Sequence, residues 1–227
     1  TALQVTYVRN NSLHLFILPG LISALFRNAR RISLDELHHL VHLMYPFFRT
    51  EYFLRWHTDA ELDDAVDGII KVMVDAELVS RDGDCLMGAG LHTPASDVLD
   101  HLGQIVLQAL ERFSLTIRLL VQRGNGSLTI AQLEELAHQT AQRLSLLYEF
   151  NSPEFFDRNV LKNFISQLQH YKLVTVADDD TLQIDPELEV LDQEARRILT
   201  PEISQAIERI TRLPVAQLDA PANTDPV

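Results

Sequence analysis

The sequence predicts a mainly α fold: two tandem winged-helix-like units, each with three helices and a small β-hairpin, followed by a C-terminal helix. Three observations lead to this fold class. Helix-start signals precede apolar residues at helical spacing. These signals recur along the chain at a shift of about 96 residues. A polar turn between two short apolar runs, typical of a hairpin, follows the last helix of each unit.

The first helix is predicted over about residues 11–27, from the apolar run at Leu13–Phe26. This run has about 14 residues and contains Pro19 and Gly20, whereas a helix that spans a bilayer needs about 20 apolar residues. It is therefore not a transmembrane helix. Two interpretations stay open, a buried core helix or an interfacial helix at a membrane surface.

N-cap residues predict where the later helices of the two units begin. Capping boxes occur at Ser33–Glu36, Thr58–Glu61 and Thr129–Gln132, and Ser152 is an N-cap followed by a proline at the first helical position. The long helix that opens the second unit is predicted over about residues 96–123. It begins after Ser96 as N-cap, and the glycines at 124 and 126 end it.

The two halves of the chain align at about a dozen apolar positions. At a shift of 96 residues Leu37 falls on Leu133, and at a shift of 95 residues Val66 falls on Leu161. The Asp82-Gly83 pair is a strong signal for a two-residue hairpin, and the aspartates at 178–180 are a weaker one in the second half. We interpret the pattern as a structural duplication, with coincidence as the alternative.

These elements predict four segments. The N-terminal helix and first unit occupy residues 1–90, and the second unit occupies residues 91–186. A C-terminal helical segment follows at 187–213, and it begins again at Thr200. The tail at 214–227 is rich in Pro, Ala and Asp and is predicted to be disordered.

The charge balance argues against a nucleic-acid partner. The chain has 19 basic and 32 acidic residues and a net charge of −13, whereas a duplex binder needs a basic stripe that contacts phosphates. The predicted recognition helix of the first unit, over about residues 59–75, is itself acidic. Such units are better suited to contacts with proteins.

The first 34 residues, in contrast, contain no Asp or Glu. They carry Arg9, and Arg27, Arg30 and Arg31 form a basic edge after the first helix. This distribution predicts contact with an anionic partner or with an anionic membrane surface. The chain starts without Met in an apolar pattern and shows no signal peptide, so we expect it to be a fragment of a longer protein.

Two groups of residues have the spacing of a functional motif, and for both we favour a structural interpretation. His92 and Asp97 have the H-x4-D spacing of an acyltransferase motif, but Gly and Pro residues surround them, so we expect an exposed linker. On another predicted helix, His38 and His42 are four residues apart and could share a metal with Asp35 nearby. We interpret these, with His39, as a solvated face. The sequence predicts no catalytic residue, no metal site and no cofactor.

Aromatic residues are dense between Tyr45 and Trp56. A groove for an acyl chain or a partner is one interpretation. The other, which we favour, is the end of a core helix that packs on its neighbours.

Several segments resemble one enzyme family. They are YVRNNSLHLFILP at 7–19, YPFFR at 45–49, EYFLRW at 51–56, LSLLY at 144–148 and NSPEFFD at 151–157. Together they resemble the C-terminal region of bacterial-type glycerol-3-phosphate 1-O-acyltransferases, downstream of the catalytic domain.

The resemblance implies a parent enzyme that transfers an acyl group from acyl-CoA or acyl-carrier protein to the 1-hydroxyl of glycerol 3-phosphate in phospholipid synthesis. It implies a location at the cytoplasmic face of the inner membrane. The family's catalytic H-x4-D lies upstream, so His92 and Asp97 match its spacing only, and no catalytic residue is carried over.

The expected role is therefore non-catalytic. The chain would brace the upstream catalytic domain, or its membrane contact, through the basic edge and through an interdomain or anion contact at the start of the first helix. The residues of that contact are Tyr7, Arg9, Asn10, Asn11 and His14. The alternative function is an acidic winged-helix regulator or protein-interaction adaptor unrelated to lipids.

Overall fold

The computed structural model describes the backbone of residues 2–147 and 153–212, and the side chains of residues 13–147 and 155–212. Predictions about Tyr148, Asn151, Ser152 and the tail at 214–227 therefore lie outside the described residues. Within them the chain is mainly helical with small antiparallel sheets, which confirms the predicted class.

The elements follow one another in an order close to the predicted one. The helices are α1 (Ala2–Leu25), α2 (Leu34–Tyr52), α3 (Asp59–Asp75), α4 (Pro94–Arg123), α5 (Ile130–Leu147), α6 (Arg158–His170), α7 (Glu187–Ile198) and α8 (Pro201–Thr211). The strands are β1 (Arg31–Ser33), β2 (Val79–Asp82), β3 (Cys85–Gly88), β4 (Val174–Val176) and β5 (Leu182–Ile184). A short 3₁₀ helix at Pro153–Phe156 precedes α6.

The chain divides into two compact units, Thr1–Gln108 and Ala109–Val227. The division falls inside α4, so each unit contains part of that helix. The domain boundaries predicted from the sequence stay a proposal.

The first unit combines α1, α2 and α3 with a three-stranded sheet in the order β1-β3-β2. Ile32 pairs with Leu86 across β1 and β3, and both side chains are buried. The predicted hairpin is present, but its loop is Gly83-Asp84 and not Asp82-Gly83, because Asp82 pairs with Cys85. Gly83 has φ +60°, in the left-handed region that favours glycine. Strand β1 was not predicted, because it has only three residues and ends at the N-cap Ser33, which is too short to show a period.

Helices α1 and α4 approach each other closely in the first unit. A Cβ atom added at Gly20 would lie 2.8 Å from the backbone oxygen of Leu102. One added at Gly103 would lie 3.2 Å from the Cα of Ala24. Glycine at these two positions therefore allows a close approach of the helix backbones that a larger residue would prevent. The neighbouring α1 residue Leu21 is buried.

The second unit packs α5–α8 and the β4–β5 hairpin around the second part of α4. The residues from Ala109 to Leu120 are all buried, so this stretch of α4 is covered on every side. Its Phe113 stacks on Phe164 of α6, with ring centroids 4.4 Å apart. The predicted restart of the C-terminal helix is confirmed, because the Thr200 side chain caps α8.

The turns after α3 and α6 repeat at the predicted shift of 95 residues. The amide of Leu78 donates to the Met73 carbonyl, and the amide of Leu173 donates to the Leu168 carbonyl, both at 2.9 Å. The residue before each donor has a positive φ, 58° at Glu77 and 60° at Lys172. The local backbone geometry of the two halves therefore matches here although the side chains differ.

Three helix starts differ from the prediction. Helix α1 already includes Ala2, since residues 2–10 contain no helix breaker and the polar residues at 10–12 do not interrupt it. Helix α4 begins at Pro94 because Thr93, not Ser96, is its cap: the Ser96 amide donates to the Thr93 hydroxyl at 3.2 Å. Helix α6 begins at Arg158 after the N-cap Asp157, and the residues Pro153–Phe156 before it form the 3₁₀ helix.

Candidate functional site

The basic edge lies just after α1. The Arg27 Nη1 atom is 3.6 Å from Asp100 Oδ1, and the Arg31 Nη2 atom is 3.3 Å from Asp82 Oδ2. Arg30 donates to the backbone oxygen of Ala89 at 3.5 Å. Two of the three guanidinium groups thus face carboxylates of their own unit, which lowers the positive charge that the edge offers to a partner.

The predicted contact at the start of the first helix lies within α1. Tyr7, Arg9, Asn10 and Asn11 are helical, and their side chains lie outside the described part. His14 is exposed. Because α1 includes Ala2 onward, these residues lie inside the helix and not at its N-terminus. The contact itself stays a prediction.

Beside this segment an apolar surface joins α1 and α4. We call it the apolar face, and it consists of Phe16, Val98, Leu102 and Ile105. Phe16 and Val98 are each 44% exposed. Phe16 and the three α4 residues line one open depression with His101. A clustered exposed surface of this kind marks a contact site more often than scattered apolar residues do.

A second cluster joins α2 to α3, and we call it the His–Asp ladder. Its members alternate in the order Asp59, His42, Asp63, His38 and Asp67. His38 Nδ1 and His42 Nε2 lie 2.9 and 2.8 Å from the same atom, Asp63 Oδ1. His38 Nε2 lies 3.1 Å from Asp67 Oδ1, and His42 Nδ1 lies 3.7 Å from Asp59 Oδ1. These hydrogen bonds, that from His42 first, hold the pKa of Asp63 below its ordinary value.

The ladder corrects part of the sequence interpretation. The side chains of His38 and His42 are only 23% and 28% exposed and contact α3, so they are not on a solvated face. Asp35 and His39 are exposed, as predicted. The missed signal was the spacing of Asp59, Asp63 and Asp67, which places three carboxylates on one face of α3.

Most of the aromatic residues between Tyr45 and Trp56 pack against their neighbours, which is the interpretation that we favoured. Tyr45 and Phe48 are buried, and the amide of Trp56 donates to the Tyr45 hydroxyl at 3.2 Å. Phe53 is the exception, because it caps α2 with φ 53° and is 91% exposed. Most of these rings are therefore occupied in packing and do not line an acyl groove.

The H-x4-D pair lies where the sequence places it. His92 is exposed with φ 59°, in the linker before α4, and Asp97 is exposed in the first turn of that helix. An exposed linker gives these groups none of the dry, rigid surroundings that a general base and its partner use.

A buried charge cluster in the second unit was not expected from the sequence. The Arg118 Nε atom and the Arg196 Nη2 atom lie 2.9 Å from the two carboxylate oxygens of Asp192. The side chains of Asp192 and Arg118 are 3% and 5% exposed. Burial, and then the nearby charges of Glu208 and Glu189, raise the pKa of Asp192 to about 7.

The sequence is similar to one family along most of its length. Residues 1–177 match the family described as the glycerol-3-phosphate acyltransferase C-terminal region. Over 210 residues the chain is 34% identical to the glycerol-3-phosphate acyltransferase of Pseudomonas entomophila strain L48 and 33% identical to that of Ectopseudomonas mendocina strain ymp. Each match covers 92% of this chain and 25% of the relative.

The chain thus spans about a quarter of the length of these curated relatives. No solved structure matches it. Among the residues that the structure describes, there is no helix with the length and apolar character needed to cross a bilayer.

Proposed function

The chain belongs to the family of glycerol-3-phosphate acyltransferase C-terminal regions, and we propose that it is a non-catalytic part of such an enzyme that braces the catalytic domain. The whole enzyme would transfer an acyl group from acyl-CoA or acyl-carrier protein to the 1-hydroxyl of glycerol 3-phosphate. Its catalytic domain would lie upstream in the same chain. The length of the relatives, of which this region is 25%, supports such a domain.

The apolar face is the observation that carries the bracing role. It joins α1 to α4, and its exposed residues Phe16 and Val98 line the same open depression. Contact with another protein surface would remove this apolar area from water. Contacts with the residues at 7–14 and with the basic edge would surround that interface with polar groups.

The test places charge on the apolar face of the full-length enzyme. A Phe16→Glu, Val98→Glu double variant would bring two carboxylates into the proposed interface, where each is costly to desolvate. We expect acyl transfer to fall at least fivefold. Val72→Glu is the matched control, because Val72 is 65% exposed on α3, away from this face.

The unfolding temperature of this chain alone separates docking from folding. It should change little in the double variant, since both substituted side chains are half exposed. Activity of the double variant equal to that of Val72→Glu would contradict the bracing role. Flotation of the chain with anionic vesicles, lost in the double variant, would instead identify the membrane surface as the occupant.

The proposed location follows from the same role. An enzyme that acylates glycerol 3-phosphate for phospholipid synthesis would act at the cytoplasmic face of the inner membrane, and the basic edge would lie toward the membrane or the catalytic domain. Arg27 and Arg31 each face an aspartate, which favours a protein contact over a purely electrostatic membrane contact.

The finer fold assignment is also a proposal. We infer that both units are winged-helix-like, because in the first unit a strand lies between α1 and α2 and the sheet has the order β1-β3-β2. In the second unit Leu182 donates to the Leu128 carbonyl at 2.8 Å, at the position that corresponds to the β1–β3 pairing. Superposition of each unit on a winged-helix domain tests this assignment. Exposed acidic residues on α3, such as Asp64 and Asp67, favour a protein contact over DNA.

A further inference from the structure

We propose that the His–Asp ladder between α2 and α3 is a binding site for a divalent transition-metal ion, with zinc as the best fit. The ligands would be His38 Nδ1, His42 Nε2 and a carboxylate oxygen of Asp63. These three atoms already lie within 4.8 Å of one another. Two imidazoles and one carboxylate, with water at the open position, are a donor set that zinc accepts.

The spacing of the donor atoms supports the assignment. Both nitrogens lie 2.8–2.9 Å from the one oxygen. Zinc bonds of about 2.0–2.2 Å place neighbouring donors of a tetrahedral site about 3.3 Å apart. The two nitrogen–oxygen separations would therefore have to increase by about 0.4–0.5 Å to fit an ion, which a small rotation of the side chains provides.

The other nitrogen of each histidine gives an independent argument. Metal-bound histidines usually donate their second ring N–H to a carboxylate or carbonyl, which fixes the ring orientation. His38 Nε2 already has Asp67 Oδ1 at 3.1 Å, and His42 Nδ1 has Asp59 Oδ1 at 3.7 Å. Asp67 would therefore orient the His38 ring, and Asp59 would orient the His42 ring more loosely.

The charges of the ladder also favour a cation. Three carboxylates flank two imidazoles, so with neutral histidines the cluster carries an excess of negative charge. An ion bound there would join α2 to α3 within the first unit. Because it would bind the folded chain and not the unfolded one, it would raise the unfolding temperature.

The experiment titrates zinc chloride into the chelator-treated chain, by calorimetry and by the shift in unfolding temperature. We expect saturable binding near one ion per chain. His38→Asn and His42→Asn should each weaken it at least tenfold. The matched control is His39→Asn, an exposed histidine on the same helix, which should leave the affinity within twofold.

A second pair of variants tests the orienting role without removing a ligand. Asp67→Asn should weaken zinc binding about 10- to 100-fold, whereas Asp64→Asn on the same helix should not. Absence of zinc binding in the unsubstituted chain would overturn the proposal. Equal loss in His39→Asn and His38→Asn, or in Asp64→Asn and Asp67→Asn, would overturn it as well, since a general charge effect would then explain the binding.

Discussion

Charged side chains are buried in the second unit. In the second unit Asp192 and Arg118 are almost completely removed from water, and Arg196 completes their cluster. A buried ion pair is costly to form, but removing one member is costlier, because it leaves the other charge without compensation. The cluster therefore fixes how α7 packs on the second part of α4 more than it adds net stability.

This argument predicts a large effect of Asp192→Ala. The free energy of unfolding should fall by about 3–5 kcal/mol, since the Arg118 guanidinium would stay buried without its carboxylate. Urea unfolding measures the change. Glu194→Gln on the same helix is the control, because the Glu194–Arg197 pair is more exposed and should contribute under about 1 kcal/mol. Equal effects of the two substitutions would show that the buried cluster is unimportant.

The Glu135–Arg158 pair between α5 and α6 gives a prediction on pH. The hydrogen bond from Arg158, at 2.6 Å, holds the pKa of Glu135 below its ordinary value of 4.5. A depressed pKa in the folded state stabilises the protein above the unfolded-state pKa, and this stabilisation disappears as the pH falls through the folded-state value.

The stability difference between the unsubstituted chain and Glu135→Gln should therefore be constant above about pH 5 and shrink below about pH 4.5. Urea midpoints measured from pH 3 to pH 7 give this difference. The pair is half exposed, so the difference is small at every pH. A difference that grows as the pH falls would have the wrong sign for this mechanism.

At the level of helices and strands, capping chemistry was the most reliable predictor. The starts of α2, α3 and α5 were predicted from their hydroxyl N-caps. In the structure each hydroxyl accepts a hydrogen bond from the third helical amide, so these predictions are confirmed. The starts of α1, α4 and α6 differ from the prediction. The expected start of α1 rested on the apolar run at Leu13–Phe26, and the caps of α4 and α6 are Thr93 and Asp157. Strand β1 was missed because only its partner β3 reveals it.

The His–Asp ladder and the apolar face were harder to predict from the sequence, because each combines residues of two helices. Sequence spacing places His38 and His42 on one helix face, but the carboxylates that they contact come from another helix. The apolar face likewise combines α1 with α4, which are about 80 residues apart in the chain. Clusters of this kind depend on tertiary packing, which a single-segment pattern does not contain.

The helix crossing at Gly20 gives a prediction for whole elements. Gly20→Ala would place a methyl group 2.8 Å from a backbone oxygen of α4, so the helices would have to move apart. We expect a loss of about 1–3 kcal/mol in the free energy of unfolding. Gly68→Ala is the control, since no atom lies within 4 Å of its added Cβ and alanine favours a helix by about 0.5–1 kcal/mol. Thermal unfolding of both variants measures the two effects, and destabilisation by Gly68→Ala as large as by Gly20→Ala would contradict the close approach.

For the whole molecule, composition predicted the class of partner better than its identity. A net charge of −13 argues against phosphate-rich partners, and the basic residues near the start are partly neutralised by Asp82 and Asp100. The first unit also exposes an apolar face, which favours a protein neighbour. Family membership supplies the proposed neighbour, and no charge pattern alone would have named it.

Glu77 and Lys172 are opposite in charge, yet both adopt the same left-handed torsion in equivalent turns. The property that the two sites share is a backbone angle and the hydrogen bonds around it. Such turns are suitable junctions for chimeric proteins. A chain that exchanges one hairpin for the other at these residues would keep the geometry at each junction, whichever side chain is retained.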